Sequence, residues 1–551
     1  RQEIGRLKAQ AGDLLGQLLA VNPEQQIEEL NDRLPIVLFP VRLETRFHAA
    51  SPGAPFTPAV AGVAAAATAS QLWIRIYPDD CQVDSFEELP TKTELENARE
   101  FWAGMWRAGG VEAQERGAWR SLVAGSSSGR AAYVLQQYAP NIADKPVKVD
   151  PQDVVLVIIP GIDVTPDEQT AAFDYYTAVW KADGNKTDEA AALAAFQLAV
   201  GNARADDLRA QFAPEANGQD TPRPYTRAQV RVSCAVLKLP PPPPSKTASW
   251  TQAPKAAALP DRFVALLFNG GVEVKRVLGR PVTDGLPVGP DPSLPPDQQI
   301  KKDGDDLVLN DDLLWTADFE RAVAVGMGIK VNLTPAEAGQ GFDRLVVVGL
   351  RFSSDEKDSK KRLETLFAHH YSSTHGFGLV PQGSPTNNTE SEGTGYSWVD
   401  DPDASYDAVF KGKEAYAETD DVFQRRDGQW LAEALGIDDA VLKLVPNAAG
   451  RDQGEARAMN VALWQTTLGY MMEEMMAPIF SRSDIAATRS FFTRYVSGRG
   501  PIPAIRVGKQ PYGILPVMAF SRYSSGRERG GVFLRMLPAG DYLQRLHTLL
   551  M

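Results

Sequence analysis

The sequence predicts a mixed α/β (α+β), multidomain protein with a largely helical C-terminal region, and three observations carry that expectation. Short apolar runs closed by turn residues, such as Val154–Ile159 before Pro160-Gly161, read as buried strands. Between them lie segments with apolar residues every three or four positions, which read as helices. The 551 residues, 43% hydrophobic and 23% charged, exceed what one core fills at roughly 150 residues per domain, and the prolines Pro240–Pro244 mark a break.

Residues 1–31 are expected to form an arm helix that packs on something else, from the partial stripe Ile4, Leu7, Leu14, Leu15, Leu18 and Leu19. An α/β domain over 32–239 follows. Its first strand runs through Leu34–Phe47 with a bulge or bend at Pro40, because proline gives a ladder no donor. Ala49–Ser70, mostly small residues, is a loop or insertion, and Leu72–Pro78 alternates as a strand. Thr91 and Glu94 have the spacing of a capping box, and Leu95, Ala98, Trp102, Met105 and Trp106 supply the stripe of the helix behind it. Helices over 114–123 and 129–138, a strand over 154–159, an Ala-rich helical stretch over 187–212 and a strand over 230–239 complete the domain.

Residues 240–260 are a Pro-rich linker, whose polyproline II conformation suits a stiff spacer or a ligand for aromatic grooves. A second α/β domain over 261–400 opens with the hairpin signal Phe263–Phe268, Asn269-Gly270-Gly271, Val272–Val274. A Pro-rich loop, an acidic knot at Asp303, Asp305 and Asp306, a helix near 316–327, a strand over 345–352, a helix over 358–371 and a strand over 377–380 follow. The last region, 401–551, is expected to be mainly helical with a basic, Gly/Pro-rich C-terminal segment. Residues 400–421, with eight acidic side chains and two lysines, look too polar for core. Beyond Gln429 a long helix should bury Leu463, Trp464, Leu468, Met471, Met475 and Ile479 along one side.

The chemistry-bearing residues are sparse. Cys81 and Cys234 alone make no disulfide framework and point to a reducing compartment, and no run reaches the ~18 apolar residues of a membrane span. Among five histidines the one cluster is His369, His370 and His375; the spacing of His370 and His375 does not put two imidazoles on one ion, so neither metal nor cofactor is expected. Gly125-Ser126-Ser127-Ser128-Gly129 matches a nucleophile elbow with Ser127 as nucleophile and His375 as the best-placed later histidine, whereas a helix-to-helix turn capped by Ser128 explains the same residues. The acidic pairs lack the loop of a calcium site, and no phosphate-binding glycine motif occurs. Charge is uneven: Ser481–Met551 holds eleven Arg or Lys against three Asp or Glu, an excess of eight positive charges, which leaves −21 for the rest of a chain at −13. Such asymmetry suits docking of the basic end on the acidic body better than nucleic acid, whose phosphates the body repels.

Three segments, Leu34–Phe47, Gly383-Ser384-Pro385-Thr386-Asn387-Asn388-Thr389 and Gly498–Pro516, together resemble a family of very large bacterial proteins without assigned activity. That family is associated with gene clusters for extracellular contractile injection systems, the phage-tail-like particles that deliver proteins. The resemblance implies a non-enzymatic structural or cargo-type component that meets other protein subunits of a larger assembly. It also implies a bacterial cytoplasmic origin, with export in or on a particle, and a longer native polypeptide. The alternatives are an enzymatic toxin or hydrolase using Ser127 or the His369–His375 region, and an anion or nucleic-acid binding module. For the last, Arg499, Arg506 and Lys509 stand among glycines and prolines that would hold cations in fixed places, as a clasp or as an anion pocket.

Overall fold

Residues 36–37, 39–49, 70–212, 224–247, 250–304, 306–351, 356–380, 401–412, 427–445, 458, 461–495, 504–508 and 516–517 are described by a computed structural model. The architecture is mixed α+β and divides into two units that alternate along the chain: unit 1 holds Arg1–Glu87, Trp250–Asp401 and Gly412–Met551, and unit 2 holds Glu88–Ser249 and Pro402–Lys411. Unit 1 opens with β1 (Ile36–Val37), β2 (Val41–His48), β3 (Gln71–Pro78) and β4 (Val83–Asp84). The chain then builds unit 2 from α1 (Lys92–Ala108), α2 (Glu112–Val123), α3 (Ser128–Gln137), β5 (Val154–Ile158), α4 (Pro166–Ala182), α5 (Lys186–Val200), α6 (Asn202–Gln211) and β6 (Val232–Val236). Back in unit 1 come β7 (Lys255–Ala256), β8 (Arg262–Asn269), β9 (Val272–Pro281), β10 (Lys301–Asp303), β11 (Asp306–Val308), α7 (Leu314–Ala317), α8 (Phe319–Ala324) and β12 (Gly328–Asn332). They are followed by α9 (Pro335–Gln340), β13 (Arg344–Leu350), α10 (Glu356–Tyr371) and β14 (Phe377–Val380). Helix α11 (Pro402–Lys411) rejoins unit 2; α12 (Asp427–Leu435), α13 (Arg482–Tyr495), β15 (Ala504–Val507) and β16 (Pro516–Val517) belong to unit 1. The expected arm over 1–31 lies outside the described residues.

Unit 2 is layered around a parallel pair, β5 with β6, joined by the crossover through α4, α5 and α6. Alternate residues of β5 enter two clusters. Val155 and Val157 pack with Trp102, Trp106 and Trp119 of α1 and α2, while Val154, Leu156 and Ile158 pack with Tyr176, Trp180 and Phe196 of α4 and α5. A strand covered on both faces has no polar side, which explains its unbroken apolar run. The capping box of Thr91 and Glu94 starts α1, and Gly109, left-handed at φ 54°, stops it. Gly201, at φ 87°, splits the expected 187–212 stretch into α5 and α6.

One expectation fails in this unit. The acidic stretch after residue 400 is not wholly surface: α11 sinks Tyr406, 2% exposed, into the tryptophan cluster, with Phe410 packed beside it. Its carboxylates answer cations on α2, Arg120 reaching both oxygens of Asp403 at 2.9 and 2.7 Å and Arg116 pairing with Asp407. Tyr406 Oη donates to Glu115 at 2.7 Å, and Trp119 Nε1 donates to Ser405 Oγ at 2.9 Å.

Unit 1 is built on two three-stranded antiparallel sheets, ordered β12-β3-β2 and β13-β8-β9, that share one cluster: Leu72, Ile74 and Ile76 from β3, Phe263, Ala265 and Leu267 from β8. The β8–β9 hairpin turns through Gly270 and Gly271, both at positive φ, as the Asn-Gly-Gly signal implies. Because β3 pairs with β12, strands before residue 88 belong with strands after 250, so the expected 32–239 and 261–400 domains are interleaved rather than consecutive. The expected strand through Pro40 breaks in two: β2 pairs with β3, but β1 pairs with β16 near the other end of the chain. The helix expected near 316–327 is α7 and α8, interrupted at Asp318, whose side chain caps α8. The methionine stripe also departs from expectation. Trp464, Met472 and Phe480 are buried, whereas Leu463, Met475 and Ile479 are exposed, because the helical path over 461–475 widens into a π-turn at Met471–Met475 that shifts the phase of its faces.

Candidate functional site

Within unit 1, α10, β4, the 3-10 turn at Asp80–Gln82 and the pair β14–β15 gather the histidines that the sequence singled out. Asp79 fixes the turn by capping it, its side chain accepting from the Cys81 N–H at 3.3 Å while Gln82 bonds back to the Asp79 N–H at 3.0 Å. The Cys81 carbonyl then accepts from His370 Nε2 at 2.9 Å. That bond requires the tautomer protonated on Nε2. Burial drives the His370 pKa down to about 4, so the ring is neutral at physiological pH. Burial, then the Asp79 carboxylate, pushes the Cys81 thiol far above its ordinary value, which removes it as a nucleophile.

One residue earlier on α10, His369 donates from Nδ1 to Asp84 Oδ2 at 2.6 Å and stacks on Phe86 with ring centroids 4.5 Å apart. Burial raises the Asp84 carboxyl, but the His369 bond and the Phe86 N–H override it and hold the group below the usual carboxylate range. Asp84 also lines a cleft of about 520 Å³ between α10, β7 and the loop at Asp284-Gly285, where Lys255, Lys361 and Arg362 face Asp284 and Asp358. Arg351 and Arg362 both reach Asp284, at 3.0 and 3.4 Å. A carboxylate on Nδ1–H leaves the other ring nitrogen of His369 as the basic one, so the pair can orient an imidazole that accepts a proton at Nε2.

The remaining expected residues are dispersed. Ser127 is in unit 2, where it caps α3 by accepting from the Arg130 N–H at 3.1 Å. The cap is Ser127 rather than Ser128, and the segment before the turn is helix α2, so the strand that a nucleophile elbow needs is not there. His375 is exposed beyond the end of α10. Arg506 is 5% exposed within β15, its guanidinium against Gly378, opposite it in the β14–β15 register. Arg499 and Lys509 lie outside the described residues. Among the described residues, no three His, Cys, Asp or Glu side chains group as a metal site would, and no helix is long and apolar enough to cross a membrane. Asp84, the partner of His369, escaped the sequence reading, since no local pattern links residues 285 apart. No family model matches the chain, and neither a curated protein nor a solved structure matches it.

Proposed function

We propose that this chain is a non-enzymatic structural or cargo-type component of a contractile, phage-tail-like particle, acting through protein surfaces. One observation supports the reading above others: the first and last of the segments that carry the family resemblance pair with each other, and the last also pairs with the strand before the second. Val37 of the first pairs with Pro516, the end residue of the last, and Ala504–Val507 of the last pair with Phe377–Val380, a strand that precedes the second in sequence. The Gly/Pro-rich segment thus acts as a clasp, with Arg506 buried in it. Partners are the other subunits of the particle, and the chain leaves the cell within or on it. Tagging the native gene and sedimenting assembled particles tests this: the chain should travel with sheath and tube subunits, and its recovery wholly in the unsedimented fraction of cells full of particles overturns the proposal.

The Asp84–His369 pair beside the cleft favours a hydrolytic effector as the second reading. Turnover of an ester or phosphoester substrate, abolished by His369→Gln with the fold intact, would promote it.

A further inference from the structure

Among the described residues β2 pairs with β3 alone, so its other side is a sheet edge with backbone groups open to a further strand. Its side chains alternate between two faces. Register places Leu43 opposite Ile76 and Phe47 opposite Leu72, on the side of the sheet that makes the shared cluster, yet Leu43 is 38% and Phe47 58% exposed. Arg42, Glu44, Arg46 and His48 stand on the other side, level with Tyr77, Arg75, Trp73 and Gln71. Glu44, exposed, accepts from Tyr77 Oη at 3.2 Å, and Arg46, also exposed, has no ion-pair partner among the described residues. Charges of one sign along an edge repel an approaching copy. At Glu44 and Arg46 the signs alternate, and the pattern is its own complement.

We propose that β2 pairs antiparallel with β2 of a second copy of this chain, about a two-fold axis at Thr45. With Thr45 opposite Thr45, Glu44 of each copy lies opposite Arg46 of the other, and Leu43 opposite Phe47. The two-fold makes every such pair form twice. Side chains directly opposite have Cβ atoms about 4.5–5.5 Å apart, close enough for the ion pairs on one face and the apolar contacts on the other. Arg42, already 3.6 Å from Asp79 and 3.5 Å from Asp80, falls opposite His48 and needs no new partner. Neighbouring registers fail. A slip of one residue turns the copy's apolar face to the wrong side, and a slip of two sets Glu44 against Glu44 or Arg46 against Arg46. The three-stranded sheet β12-β3-β2 thereby continues into the same three strands of the copy in reverse order, and Leu43 and Phe47 are covered beside Ile76 and Leu72. Such a dimer forms whether or not the chain belongs to a particle.

Sedimentation equilibrium of the full chain tests this, and the native chain should sediment as a dimer. Glu44→Arg places two like-charged pairs beside the axis, as does Arg46→Glu, and each variant alone should dimerise at least tenfold more weakly. Mixed one to one, the two variants should recover the native affinity, since each offers the charges that the other lacks, and that recovery also shows both to be folded. A native chain that stays monomeric overturns the proposal, as do single variants that dimerise as tightly as the native chain, or a mixture no tighter than its components. Thr45→Cys reads the register independently, because Cys81 is buried and the Cys234 thiol, raised by burial to about 11, reacts slowly. Opposite residues sit within disulfide range, whereas Arg42 lies six residues, roughly 20 Å, from Arg42 of the other copy. Under mild oxidation Thr45→Cys should therefore give covalent dimer at least tenfold faster than Arg42→Cys. Equal rates remove the axis from Thr45 and overturn the proposal with it.

Discussion

Arg130 shows what a single side chain does when it is buried with its charge. It is 2% exposed, and its guanidinium reaches Glu94 at 2.7 Å and the Leu89 carbonyl at 3.1 Å, so the capping-box carboxylate that starts α1 also neutralises a cation from α3. Removing one member of such a pair strands the other, and Arg130→Ala should cost about 3–5 kcal/mol in urea unfolding. Ser127→Ala removes a cap and should cost about 1 kcal/mol, and covalent labelling by a serine-directed probe should be the same in the native chain and the variant. His370 gives the pH dependence its sign. Its folded pKa of about 4 lies below the ordinary value near 6.5, so between these values the unfolded chain binds more protons. Its contribution is complete above about pH 6.5 and is lost as pH falls toward 4, on the order of 3 kcal/mol at 1.36 kcal/mol per unit. Melting temperature followed over that window should fall for the native chain and flatten for His370→Gln. At this scale local chemistry was legible and distant chemistry was not: the Thr91–Glu94 cap spans three residues, whereas Asp84 and His369 meet only because the chain folds.

Elements were legible where one periodicity ruled the whole segment. The runs of β5 and β8 could only be strands, since each feeds two clusters, and the Asn-Gly-Gly turn fixed the hairpin between β8 and β9. Helix α11 was hidden by averaging. Over 400–421 acidic residues dominate, but within 402–411 Tyr406, Val409 and Phe410 share the face that packs on the tryptophan cluster, and Asp403 and Asp407 face arginines. The acidic composition reflected an electrostatic dock, with Glu112 of α2 meeting Lys411 in the reverse sense. Tyr406→Ala, which removes a buried ring and leaves Glu115 without its hydroxyl donor, should cost about 3–5 kcal/mol by chemical denaturation. A fragment of residues 88–249 should gain stability from an added 402–411 peptide; an unchanged melting temperature at saturating peptide would show that α11 contributes nothing to unit 2.

For the whole molecule, charge asymmetry was plain in the sequence while the interleaving of units was not, because strand partners are chosen by shape and register rather than by neighbourhood along the chain. The C-terminal excess of eight positive charges faces a remainder at −21, and at the ~8 Å screening length of physiological salt that remainder competes for any polyanion's place. Intact chain should bind duplex DNA weakly in a filter or anisotropy assay at such salt; tight binding that weakens steeply with added salt would report released phosphate counterions instead. The pairing of β1 with β16 has a further consequence in time. A ribosome adding about 5–20 residues each second takes roughly half a minute to a minute and a half to travel from one of these strands to the other. Throughout that interval β1 waits for β16, and once made β14 waits for β15, while helices α1 to α6 are free to assemble well before either pair can close. Birth order thus leaves these two pairs for last: the strands of both three-stranded sheets end by residue 350 and α11 ends at residue 411, so premature termination between there and residue 504 leaves β1 and β14 without their partners for chaperones and proteases to find.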